Sequence, residues 1–444
     1  MNPTVALILC LILVIVLLCI ERIRNPEASN ALWVPTSWLL LCGSKPLGVW
    51  FGSDAILASV GSEEAGSLYD RLVLSILIIL ALLIIYRRKI DWSGVLIDNF
   101  WLILLFLYLG YSILWSDFPL VSFKRWARLC GGIPIAMVVL SERSPVKALE
   151  SAFRRCAYVL IPFSLVLIKY FPNLGVEYSP WAGTRMWTGV ASQKNGLGVV
   201  CAISVFLVIW TFLRERRAKA FLKPRSQAFA DGLVLAIALF LLLGNRGVYP
   251  ATAVGFLIVG IVSLLLLRKM KNNVRHMATL SVLMVALGLF CLTFVDVLVP
   301  FVTSVFQRNE TFTGRTEIWR AVLDVASRNP VLGVGYGGYW GLLDEITSRV
   351  GVKEAHSGYL GVYLEVGMVG IVLLSAFLLA HHRRALRELD HAYDLGLFGI
   401  CLLIMTLIHN YTESNFLSTS SYSWNATLFV TIALSTRRSR TIGK

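Results

Sequence analysis

Residues 72–86 read LVLSILIILALLIIY and run directly into Arg87-Arg88-Lys89. An apolar run of this length, with no alternation of polar and apolar positions, does not describe a half-buried strand. With its flanks it approaches the roughly 20 residues that carry a helix across a bilayer core. The cations that end it stand where a membrane helix meets the cytoplasmic surface. Working outward, the same texture returns at Thr4 to Ile20, Trp101 to Leu114, Val199 to Leu213, Leu233 to Leu243 and Ile371 to Ala380. Of the 444 residues 57% are hydrophobic and only 15% charged, and the mean hydropathy is +0.72, more apolar surface than a water-soluble core of this size requires. The expected fold class is therefore all-α, a polytopic transmembrane helical bundle of about 12–13 spans. The candidate windows lie near 3–20, 31–43, 71–86, 98–115, 128–141, 156–171, 195–213, 228–244, 249–267, 278–303, 356–380, 394–409 and 422–436. The first run lacks a basic leader and a small-residue cleavage site, so it is expected to be a retained helix.

Charge distribution gives the spans a direction. Arg22 and Arg24, Arg87 to Lys89, Arg143 to Arg155, Arg214 to Arg225, Arg268 to Arg275, Arg383 to Arg387 and Arg437 to Lys444 fall in alternate loops and hold 26 of the 41 basic residues. By the positive-inside rule these loops are cytoplasmic, which puts the N-terminus outside and the C-terminus inside. The net charge of +15 is thus mainly a topology signal, and nucleic-acid binding is excluded as its explanation. The eight cysteines sit singly in apolar runs with no C-x-x-C spacing, which argues against a disulfide framework or a structural zinc. The expected organisation is transmembrane helices over 1–303, a large outward loop over 304–355, and C-terminal transmembrane helices over 356–444.

The outward loop carries the chemistry-bearing residues. Gly314-Arg315-Thr316-Glu317-Ile318-Trp319 opens a stretch in which Ile318, Val322 and Val325 share one helical face, and Asn329-Pro330 closes it. It predicts a helix lying along the membrane surface. Pro330-Val331-Leu332-Gly333-Val334-Gly335 follows, its glycines permitting tight turns and close backbone approach to a ligand. Ala355-His356-Ser357-Gly358-Tyr359-Leu360 then re-enters the membrane, and Glu365-Val366-Gly367-Met368-Val369-Gly370 lies one further step along.

In this order the four elements resemble the signature of the O-antigen ligase and polymerase family. Upstream, Trp115-Ser116-Asp117-Phe118-Pro119 is similar to a W-S-x-x-P element of that family. Arg185 through Val190 with Gln193-Lys194-Asn195-Gly196 resembles its segment in relatives assigned to exopolysaccharide production, and Asn245-Arg246-Gly247 stands where the family has S-R-G. The chain departs from the pattern at Asn245 and Ser357. The resemblance covers roughly residues 100 to 420. It implies an inner-membrane glycosyltransferase, with its active site facing the periplasm, that moves a glycan from a polyprenyl-pyrophosphate donor to an acceptor hydroxyl. The acceptor is a lipid A core in a ligase, or a second lipid-linked glycan in a polymerase. The partners are these glycans and membrane lipid, and no cofactor is expected.

The residue types suit that chemistry without the family name. A pyrophosphate leaving group needs cations, and Arg246 and Arg315 lie outward, against the positive-inside pattern. Arginine's fork holds phosphate oxygens bidentately. Arg185, Lys194 and Arg125 extend this field, with Lys124 and Arg128 beside them. His356, partly desolvated among cations, is expected to be neutral near pH 7, the form a general base requires. Asn195, Trp319, Glu354, Tyr359 and Glu365 are the further candidates. The plain readings run the other way: a histidine at a helix end is commonly a cap, interfacial arginines commonly bind head groups, and Trp187, Trp319 and Trp340 fit an interfacial aromatic belt. The order of the motifs lifts His356, Arg246 and Arg315 above those readings. Among the outward acids Asp117, Glu310, Glu317, Asp344, Glu345, Glu354 and Glu413 there is no D-x-D, so a metal-independent reaction is expected. A transporter of lipid-linked glycans is the reading from another class. Its marks, paired broken helices and midplane charges, are weak in this sequence.

Overall fold

The computed structural model describes residues 1–52, 67–88, 90, 92–178, 183–217, 225–244, 251–271, 273–293, 313–339, 346 and 354–435. Each of the thirteen apolar windows overlaps a helix: Pro3–Arg24, Trp33–Cys42, Leu68–Arg88, Phe100–Tyr111, Pro119–Leu140, Pro145–Tyr170, Lys194–Arg217, Arg225–Leu243, Ala251–Lys269, Val274–Thr293, Gly358–Glu388, Tyr393–His409 and Tyr422–Ala433, with 294–303 of the tenth window outside the described residues. Among the described residues seven helices are long and apolar enough to cross a membrane, or eight if Trp92–Asp98 and Phe100–Trp115 make one span. The protein is a multi-pass helical membrane protein. The first helix shows how local sequence sets such an element. Asn2 caps it by accepting the Thr4 N–H at 2.9 Å, Pro3 sits where its missing N–H costs nothing, and Arg22 and Arg24 lie at the negative end of the dipole.

One departure from an all-helical chain is a short antiparallel hairpin, Val176–Tyr178 with Arg185–Trp187. Three-residue strands bounded by apolar helices carry too little period-2 pattern to be read from sequence.

The chain divides into two compact units. The first comprises Met1–Asp98, Gly131–Ile261 and Thr419–Lys444. Its centre is the helix Pro145–Tyr170, which packs on the helices Pro3–Arg24, Trp33–Cys42, Lys194–Arg217, Arg225–Leu243 and Tyr422–Ala433. That position would strand its charges were they not paired. Arg155 lies 2.6 Å from Glu21 and stacks over Trp33, and Ser151 also donates to Glu21. Arg154 bridges Glu150 at 2.7 Å and Asp231 at 3.2 Å, Tyr158 donates to Asp231 at 2.6 Å, and Arg214 reaches Glu150 at 2.6 Å. Three of the basic residues that orient the chain in the sequence, Arg154, Arg155 and Arg214, are here paired with carboxylates.

The second unit comprises Asn99–Cys130 and Val262–Ser418. Its centre is Gly358–Glu388, which packs on Phe100–Tyr111, Thr313–Ala326 and Tyr393–His409. The helix expected after Gly314 is present as Thr313–Ala326. Its shared face is buried as the spacing predicts: Ile318, Val322 and Val325 join Ala321, Ala355 and Leu364 in one apolar cluster.

Glu21→Ala should leave the Arg155 guanidinium, 1% exposed, without its carboxylate. The expected loss is about 3–5 kcal/mol, read as a lower thermal midpoint in detergent. Glu21→Leu with Arg155→Leu should recover most of it.

Candidate active site

The helix Gly358–Glu388 is broken at Gly367, whose φ of +63° and ψ of −164° are not helical. A break of this kind releases backbone carbonyls that the bilayer cannot hydrate. The Pro330–Gly335 segment takes them up. Val334 N–H donates to Leu364 O at 3.0 Å and Gly335 N–H to Glu365 O at 2.8 Å, while Met368 N–H reaches Pro330 O at 2.9 Å and Val369 N–H reaches Val331 O at 3.2 Å. Tyr108 adds a hydroxyl to Val366 O at 3.0 Å. A Cβ on Gly367 would lie 2.3 Å from Val331 O, and one on Gly333 would lie 2.5 Å from the Glu365 carbonyl carbon. The two glycine motifs are thus halves of one backbone interlock. Their close approach is to protein backbone, where the sequence suggested a ligand.

Beside the interlock, Arg125 donates to Gly337 O. Tyr336 is held by Ser112 through its N–H and by Leu417 O through its hydroxyl.

The N-terminal approach to the same helix carries His356. Its φ of +46° puts a non-glycine residue in the left-handed region, a conformation that costs on the order of 1–3 kcal/mol and persists only where neighbours impose it. The turn after Tyr393–His409 does so. Ser357 N–H donates to Ser414 Oγ at 3.2 Å, and Gly358 N–H reaches Asn410 O at 2.8 Å and Glu413 O at 3.0 Å. Asn410 Oδ1 in turn accepts the N–H groups of Asn415 and Phe416. A Cβ on Gly358 would meet Asn410 Oδ1 at 2.1 Å, so a larger residue could not follow this path. Tyr359, a sequence candidate, gives its hydroxyl to Leu407 O at 2.9 Å and packs edge-on against Phe416. That geometry braces the turn.

Around His356 the polar groups converge. Its Nδ1 is 3.2 Å from Glu354 Oε1, without hydrogen-bond alignment. Glu413, 3% exposed, receives Arg315 at 3.2 Å. One ligand atom each of Glu354, His356 and Glu413 lies within 4.8 Å of the others. Burial pulls the His356 imidazole below its usual range, with Glu413 opposing and Arg315 adding to the shift. Burial pushes the Glu354 carboxyl up to about 6, against the pull of Arg315. Three such donors are of the kind that hold a divalent cation. The Arg315 guanidinium already sits on Glu413, where an ion would have to compete with a fixed positive charge.

Of the sequence candidates, the second unit therefore brings together Arg315, Glu354 and His356, with Trp319 one helical turn beyond Arg315, and ties Arg125 and the Glu365 carbonyl to the Gly335–Gly337 segment. Arg185, Lys194 and Asn195 lie in the first unit. There Arg185 donates to Ile168 O at 3.1 Å, and Lys194 and Asn195 open the helix Lys194–Arg217. Arg246 lies outside the described residues. Two contributors escaped the sequence reading. Glu413 appeared only among the outward acids, and the nearby His409–Asn415 contact at 3.1 Å would have marked its turn as packed. Lys45, 8% exposed, points its ammonium at Thr188 Oγ1, Gly189 O and Ala191 O, pinning the turn before Lys194. A lone lysine in Ser44-Lys45-Pro46 carries no sequence signal of that role.

Gly367→Ala should lower the thermal midpoint and the yield of folded protein, because its φ and the Val331 carbonyl both oppose a Cβ. Gly361→Ala, with open space at its Cβ, should leave both unchanged.

Comparison with known proteins then bears on the chain as a whole. Residues 231–375 match the family model described as O-antigen ligase. The exopolysaccharide production protein ExoQ of Rhizobium meliloti (strain 1021) is 23% identical over 341 residues, which cover 73% of this chain and 74% of the relative. Arg315, Trp319, Glu354, His356, Tyr359 and Glu365 fall inside the family match, and Arg125, Arg185, Lys194, Asn195 and Glu413 outside it.

Proposed function

Because the chain is a member of the O-antigen ligase-like family, whose proteins are polysaccharide ligases and polymerases, we propose that it transfers a glycan from a polyprenyl-pyrophosphate donor to an acceptor hydroxyl, at a site on the periplasmic side of the bacterial inner membrane. The observation that carries this reading is the placing of a half-buried imidazole, its pKa lowered, beside two carboxylates and an arginine at the mouth of a membrane helix.

In this reading His356 takes the acceptor's hydroxyl proton as the oxygen attacks the anomeric carbon. The bond from that carbon to the phosphate oxygen breaks, and its electron pair leaves with polyprenyl pyrophosphate. A single displacement inverts the anomeric centre. Arg315 offers its guanidinium to the leaving phosphates. Glu354, 3.2 Å from His356 Nδ1, stabilises the imidazolium that forms. Glu413 holds Arg315 in place. Arginines supply the neutralisation for which related chemistries use an ion, so the reaction proceeds without a divalent metal.

Two acceptors fit: a lipid A core, which makes the protein a ligase, and a second lipid-linked repeat, which makes it a polymerase. The relative named for exopolysaccharide production favours the second.

Reconstituted vesicles given a polyprenyl-pyrophosphate oligosaccharide, a chelator and both acceptors test the proposal. His356→Ala should reduce transfer at least 100-fold, in line with loss of a general base. Transfer that needs added metal, or that survives His356→Ala, would count against the mechanism. Absence of transfer to either acceptor by the native protein would favour transport of the lipid-linked glycan instead.

The pH profile follows from the site. Only neutral His356 accepts a proton, and its imidazole sits below the usual histidine range. Glu354 becomes an anion above about 6. Both groups lose protons as the pH rises, so kcat/KM should be level above pH 7 and fall on the acid side of about 6. A limb centred above 7 would contradict the burial of His356.

A further inference from the structure

An aromatic pair, Trp319 and Tyr411, lies beside the group around His356. Trp319 follows Arg315 by four residues on the helix Thr313–Ala326, so both side chains rise from one face. Tyr411 precedes Glu413 by two residues in the turn that cradles His356. Arg315 to Glu413 at 3.2 Å, and Trp319 to Tyr411 at 5.7 Å between ring centroids with an interplanar angle of 88°, are two neighbouring rungs between the same two elements. Both rings are only half-buried.

The indole nitrogen decides against the aromatic belt as the explanation of Trp319. A belt tryptophan turns its N–H to water or head groups. Trp319 Nε1 is shut away from solvent and finds no acceptor among the described residues. A buried donor left unpaired is unfavourable, so the site is poised to gain when an acceptor oxygen arrives. A flat ring face joined to an unsatisfied N–H matches one ligand chemistry. A pyranose presents an apolar C–H face and, at its rim, hydroxyl oxygens that accept hydrogen bonds.

We propose that Trp319 and Tyr411 form a carbohydrate subsite next to the reacting centre, taking one pyranose ring against the aromatic surface with a ring hydroxyl accepting the Trp319 N–H. The subsite rests on the reading of His356 as the base of glycan transfer. Its test is binding without turnover, so that the two ideas fail separately. The sugar belongs either to the acceptor or to the donor glycan, and kinetics tell these apart.

The probe is the repeat-unit oligosaccharide released by mild acid from the producing cell's own surface polysaccharide. It is offered to the full-length detergent-solubilised protein in saturation-transfer NMR, with sorbitol, which has hydroxyls but no ring face, as control. Transfer to ring C–H protons of the oligosaccharide and not to sorbitol is expected. Trp319→Leu should weaken binding about tenfold, as should Tyr411→Leu, while Trp319→Phe, which keeps a ring and loses the N–H, should fall between. Equal binding by native protein and both leucine variants would overturn the subsite, as would no ring-proton signal from the native protein. Matching thermal midpoints separate lost binding from lost folding, and Trp319→Phe is the readout should a leucine variant not fold. In transfer assays the subsite should appear as a raised KM for one substrate with kcat within about threefold: a shift for the acceptor assigns the ring to the acceptor, a shift for the donor assigns it to the donor. An unchanged KM for both would overturn it. Trp319-dependent binding by a native protein that transfers no glycan would leave the subsite standing and remove the proposed function.

Discussion

A helix that breaks inside a bilayer must find donors for the carbonyls it exposes, because no water is there to supply them. In the second unit this constraint organises everything near His356. The break at Gly367 is closed by the backbone of Pro330–Gly335, and just beyond that segment the Gly337 carbonyl is held by Arg125. The same helix begins at Gly358, and its approach is fixed by two hydrogen bonds to the 410–413 turn. Backbone pairing at one end and a left-handed histidine at the other leave little freedom for the side chain between Glu354 and Glu413. The site is thus preorganised by main-chain contacts, with side-chain pairs added to a frame already set.

The first unit solves a different problem by similar means. Its central helix, Pro145–Tyr170, is covered by five others and yet carries Glu150, Arg154 and Arg155. Three carboxylates, Glu21, Glu150 and Asp231, meet three guanidinium groups, Arg154, Arg155 and Arg214. Charges balanced in this way gain less in stability than their number suggests, since desolvation offsets much of the attraction. What they provide is a penalty against any other packing, because a shifted helix would leave a charge buried alone. These charges are matched within the fold.

The electrostatics of the two units differ accordingly. In the first, opposite charges are paired and the network is closed. Around His356, burial holds the imidazole neutral and raises the Glu354 carboxyl to about 6, so both groups are pushed toward their uncharged forms. Groups displaced toward neutrality at a mouth of the membrane are what acid–base work requires, and groups locked into pairs are what packing requires.

The sequence by itself determined that the chain crosses the membrane repeatedly, that it is helical, and which short segments matter. Hydrophobic length and cation placement are one-dimensional properties, and the motif order from Arg315 through His356 to Glu365 survives projection onto a line. It also named Ile318, Val322 and Val325 as a buried face, because helical period is local. Only the tertiary structure decided what the glycines do, since Gly333 and Gly367 meet across thirty-odd residues and nothing local to either predicts the other. The same holds for Glu413, which reaches Arg315 from a turn 98 residues away, and for Lys45, which meets the 188–191 turn from a different part of the chain. Hydrogen bonds and charge pairs act over a few ångströms in space and are indifferent to distance along the chain. The partners they choose were therefore legible only once the backbone had brought them together.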